Sequence, residues 1–71
     1  MSSIWECISH AKRDIAEDGD AFMAAFVLRD RQEVKDAGLD GLAWATYQGN
    51  PHANDVYYLI ELLEKHVGAQ P

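Results

Sequence analysis

The sequence predicts an all-α fold, a small irregular bundle of about four helices. Apolar residues recur at three- and four-residue spacing in four stretches, and cap-and-stop residues separate them at Gly19-Asp20, Gly38–Asp40 and Gly49-Asn50. No stretch alternates apolar and polar residues as a half-buried strand does. The chain reads as a single domain over residues 1–71, since its length fits one folding unit.

The first helix is predicted at about 4–17. Ser3 and Glu6 form a capping box, in which the hydroxyl takes an amide of the first turn and the glutamate reaches back to the cap. Ile4, Ile8, Ala11 and Ile15 recur at helical spacing behind it, with Trp5 alongside. Glu17-Asp18-Gly19-Asp20 ends the helix, because Gly19 can adopt the left-handed conformation of a C-cap.

Asp20 caps the second helix, predicted as one piece over about 21–37. Its expected inner stripe is Phe22, Met23, Phe26, Val27, Val34 and Ala37, interrupted by Asp30. Ala24, Ala25 and Leu28 widen the apolar surface, whereas Arg29 to Asp36 is highly charged. Gly38 stops this helix and Asp40 is the cap candidate for the third, at about 41–48, with Leu42, Ala45 and Trp44 facing inward. Gly49 ends it. Asn50-Pro51 is either a turn or a cap followed by proline at the first helical position, and Asn54 is a second possible cap, for the fourth helix at about 52–67, whose inner stripe is Val56, Ile60, Leu63 and Val67, flanked by Tyr57, Leu59 and Leu62. The tail from about residue 68 is expected to be frayed.

A domain this small has a marginal core and relies on tight helix packing, a metal, disulfides or a partner subunit. An intrachain disulfide is excluded, because Cys7 is the only cysteine. One cysteine fits a reducing compartment, no apolar run approaches the roughly 18 residues of a membrane span, and Met1 to His10 lacks a signal-peptide pattern. The expected location is therefore the cytoplasm, with no membrane partner.

Acids outnumber bases by 12 to 6, a formal net charge of −6. Nucleic-acid binders carry basic patches that displace phosphate counterions. Here Lys12-Arg13 and Arg29/Arg31/Lys35 are the only basic clusters, and acids flank both. Direct nucleic-acid binding is thus not expected. A helix-turn-helix built on the third helix would offer Thr46 and Gln48 but no lysine or arginine for phosphates.

Three groups of residues carry candidate chemistry. Asp18-Gly19-Asp20 superficially resembles a calcium loop, but the glutamate of the EF-hand spacing is missing and residue 32 is Gln. Cys7 and His10, one turn apart, make half a zinc site, and a structural site needs four ligands. The same two residues lack the orienting group and oxyanion site of a nucleophilic pair. His52 and Asp55 fit N-terminal capping beside a surface histidine. No metal, no cofactor and no enzymatic activity are expected. Residues 41–69 have the helix–turn–helix rhythm of one ankyrin repeat, without its Thr-Pro-Leu-His opening, and one repeat cannot bury its own face.

The aromatics carry the most usable signal. Trp44 and Tyr47 lie one turn apart and should project together. Tyr57 and Tyr58 are adjacent, about 100° apart on a helix, so one should lie near the surface. Tyrosine and tryptophan are over-represented at interface hot spots. A second group is acidic: Asp14, Glu17, Asp18 and Asp20 at the first junction, then Asp30, Glu33 and Asp36 at three-residue spacing along the second helix. These could form phosphate-like rows, although Arg29, Arg31 and Lys35 intersperse the second. The expected function is a non-enzymatic, acidic protein-binding module. It would act as an inhibitor or adaptor on a larger protein with a basic or nucleic-acid-binding surface. Its sharpest version is a phage-type inhibitor of a host system, with or without DNA mimicry. The alternative is a self-associating homodimer.

Overall fold

A computed structural model of the chain describes residues 3–68. The frayed tail expected beyond Gly68 lies outside them. Among the described residues there are five α-helices and no strand, so the fold is a small all-α bundle: α1 Ile4–Asp18, α2 Ala21–Leu28, α3 Gln32–Asp36, α4 Asp40–Gln48 and α5 Ala53–Val67.

The first junction follows the sequence closely. Ser3 Oγ accepts the Glu6 amide at 3.1 Å. Gly19 is left-handed (φ 63°), and the Gly19 and Asp20 amides donate to the Ile15 and Asp14 carbonyls at 3.0 and 3.1 Å. The Gly19 bond, from a left-handed residue to the carbonyl four residues back, is the αL form of C-cap. Asp20 Oδ1 then accepts the Met23 amide at 2.9 Å and starts α2. The Asp18-Gly19-Asp20 segment is thus a stop running into a cap.

The predicted 21–37 helix is instead two helices, broken at Arg29–Arg31. A continuing helix would pair the carbonyls of residues 26 and 27 with the amides of residues 30 and 31. Side chains take those carbonyls: Arg29 Nη1 donates to Phe26 O at 2.6 Å and Cys7 Sγ donates to Val27 O at 3.6 Å. The Arg31 amide turns to Leu28 O at 3.1 Å, and Arg31 is extended (ψ 139°).

The face of α2 is also not the one expected from residue size. Ala21, Ala24, Ala25 and Leu28 are buried, while Phe22, Met23 and Phe26 are exposed. A helix apolar on all sides gives periodicity nothing to select. What selects is close approach: small side chains let the α2 backbone settle onto α1, the most extensive helix pair in the fold. The later apolar residues Val34 (buried) and Ala37 (half-buried) do face inward.

α4 departs in the same way. Ala43 alone is buried, and Leu42, Trp44 and Ala45 face outward. Its N-cap is Leu39, with Asp40 as the first helical residue. In α5 the N-cap is His52, where neither Asn50 nor Asn54 stands. Asp55 Oδ2 accepts the His52 amide at 3.1 Å, so Asp55 is a capping residue. Asn50 is left-handed (φ 56°), a conformation asparagine tolerates in turns.

The core is a continuous cluster drawn from all five helices, with Leu28, Val34, Val56, Leu59, Ile60 and Leu63 its largest fully buried side chains. Val56, Ile60 and Leu63 were expected there; Leu59 is fully buried where only a flank was expected, and Val67 is half-buried. Lys12 Nζ and Glu64 Oε2, 3.0 Å apart, tie α1 to α5 on the surface. No helix among the described residues is long and apolar enough to cross a membrane.

Candidate protein-binding surface

The inversion of α2 leaves its large residues on the outside, against α4. Phe22, Phe26 and Arg29 follow i, i+4, i+7 spacing and so share one stripe. Trp44 and Tyr47 meet them from α4. The Tyr47 ring is the hub: its centroid is 5.0 Å from Phe22, 5.9 Å from Phe26 and 5.8 Å from Trp44, the last edge-on at 89°. Ring pairs at these separations are each worth about 0.5–1.5 kcal/mol beyond their buried area.

Arg29 organises the cluster. Its guanidinium carbon lies 4.1 Å from the Phe26 centroid, 4.7 Å from Tyr47 and 4.8 Å from Trp44. Cation–π contacts of this kind run from about 0.5–1 kcal/mol when exposed to about 2 when desolvated. The Arg29 side chain is only 16% exposed, and Asp30 stands 3.5 Å from its Nη2. Its charge is therefore shared among ring faces, a carbonyl and a carboxylate, and the cluster presents mainly carbon to solvent. Phe22 remains 48% exposed, Phe26 41% and Trp44 36%.

On its other side α4 borders an open groove of about 270 Å³ lined by Leu42, Ala45, Thr46, Gly49, Asp55 and Tyr58. Tyr58 is 56% exposed. The Thr46 hydroxyl folds back onto Leu42 O at 2.7 Å. Exposed apolar surface thus flanks both sides of one nine-residue helix. Charged residues are depleted in the centres of protein interfaces, and residues 41–54 contain no Asp, Glu, Lys or Arg. That uncharged run, with the i, i+4, i+7 stripe of Phe22, Phe26 and Arg29, is the signal in the sequence that could have located this surface.

Of the aromatic residues proposed from sequence, Trp44 and Tyr47 join the cluster, and Tyr58 lines the groove. Tyr57 and Tyr58 are both exposed, where one was expected to be. The acidic residues do not form the expected second row. Asp30 belongs to the turn after α2, whereas Glu33 and Asp36 sit on the short α3, so three-residue spacing does not put all three on one helix. Glu33 pairs with Arg31 Nε at 3.5 Å, and Asp36 accepts from Gln32 Nε2 at 2.8 Å. Asp14 is half-buried, Glu17 and Asp18 are exposed on the last turn of α1, and Asp20 is committed to its cap.

Cys7 and His10 line a second hollow with Val27 and Arg31, of about 230 Å³. Cys7 is buried, and burial pushes its thiol pKa up; Arg31 opposes this and Glu33 adds to it. A thiol so held is the reverse of an activated nucleophile.

No protein-family model, curated protein or solved structure matches the chain at a significant level.

Proposed function

We propose that this protein is a non-enzymatic binding module whose contact surface is the aromatic face of α2 and α4. The observation that carries this reading is the cluster locked around Arg29, in which Phe22, Phe26 and Trp44 are exposed about a half-buried Tyr47. Rigid aromatic anchors that lose little freedom on docking dominate binding energy at interfaces. A net charge of −6 favours partners with a basic surface through long-range steering. An inhibitor or adaptor that covers part of a larger protein uses a surface of this kind.

The DNA-mimic version is less well supported, because the second of its two acidic rows required an unbroken helix over residues 30–36. Acidity serves here as steering and rim, and the apolar cluster supplies the anchor.

The test is differential capture from the native cell with tagged protein. Wild type and Lys65→Ala, a change on the exposed face of α5, should retain the same partner. Phe22→Ser/Trp44→Ser should lose it while keeping the wild-type far-UV circular dichroism. A partner retained by the folded double variant would refute this surface.

A further inference from the structure

We infer that the partner element is a basic amphipathic α-helix, laid along α4 with its apolar side on the aromatic cluster and its lysines or arginines against the surrounding carboxylates. This rests on the binding reading above and deepens it. The contact strip is uncharged over residues 41–54 and apolar on both flanks of α4. Its edges are acidic. Asp30 lies 3.5 Å from Arg29, and so borders the cluster. Asp40 is one turn before Trp44 on α4, on the same side of the helix. Asp55 lines the groove on the far flank.

Arg29, the one cation in the cluster, does not oppose a basic partner. It is 16% exposed and enclosed by three ring faces, while the Asp30 side chain beside it is 60% exposed and faces solvent at the rim. An apolar strip with acidic edges is complementary to a helix with an apolar stripe and basic flanks, the helix-in-groove mode of recognition. A second copy of this chain is less complementary, since it would bring two net charges of −6 together along acidic edges.

The probes are three synthetic peptides without tryptophan: an amphipathic Leu/Lys helix, a Leu/Glu twin with the same apolar pattern, and a scrambled Leu/Lys peptide. Binding is read by Trp44 fluorescence in a Trp5→Phe background and mapped by amide chemical shifts. The Leu/Lys helix should bind saturably at one to one, shifting residues of α2 and α4. Asp30→Asn/Asp40→Asn should weaken it by about three- to tenfold, as two exposed charge pairs would. Phe22→Ser/Trp44→Ser, which lacks the reporting indole and is followed by amide chemical shifts alone, should abolish it. The inference fails if the Leu/Glu twin or the scrambled peptide binds as well, or if the shifts map to α1 and α5. It also fails if sedimentation shows a dimer that closes over the cluster. If the Leu/Lys helix does not bind while the double serine variant still loses its native partner, this inference falls and the binding surface stands. If the variant keeps that partner, both fall.

Discussion

Replacing Ala24 with leucine separates the observed face of α2 from the one that residue size suggests. Ala24 has no solvent exposure and lies on the face α2 shares with the core cluster. An isobutyl group there has no room without moving α1 or α2. Overpacking of a tight core costs about 1–3 kcal/mol. A chain of 71 residues has a total stability of about 4–11 kcal/mol at the usual ~0.05–0.15 per residue. Each kcal/mol shifts Tm by about 4–8 °C in a domain of this size, so Tm should fall by roughly 4–24 °C. The control is Ala16→Leu, the same chemical change at an exposed position of α1, where the effect should stay within about 0.5 kcal/mol. The assay is urea unfolding followed by circular dichroism at 222 nm. Equal effects at both sites, or a gain at Ala24, would mean that the alanine face is not packed and that Phe22 and Phe26 turn inward.

Three further outcomes are expected. Ile60→Ala, at a site 1% exposed, should cost about 2–5 kcal/mol, and a loss below about 0.5 kcal/mol would show that the wrong face of α5 has been assigned to the core. Arg29→Lys keeps the charge but loses the planar group that stacks on the rings; near-UV circular dichroism from Trp44 and Tyr47 should weaken while the far-UV spectrum is unchanged, and an unchanged near-UV signal would remove Arg29 as organiser. For Cys7, the folded-state pKa is raised by burial, so the thiol's contribution is present at neutral pH and is lost as pH rises past its ordinary value. The stability difference between wild type and Cys7→Ala should therefore shift against wild type from pH 7 to pH 10, and a constant difference would contradict a buried, protonated thiol.

The helical class, the first junction and the inner face of α5 were determined by local chemistry that any chain carrying these residues would express. Ser3, Gly19 and Asp20 act within one turn of themselves. Val56, Ile60 and Leu63 sit in a helix with a charged opposite side, so periodicity alone assigns their face. The acidic balance needs only composition. The orientation of α2 and α4 was a tertiary decision. In Ala21–Leu28 every residue is apolar, so no polar face remains to point outward. The choice then fell to which side allows close backbone approach to α1, and alanines allow it where phenylalanines do not. The break at Arg29–Arg31 is equally non-local, since one of the carbonyls it leaves is taken by Cys7 from 20 residues earlier. The candidate surface is a product of both decisions. Small residues won the interior, and Phe22 and Phe26 were left outside to meet Trp44, Tyr47 and Arg29.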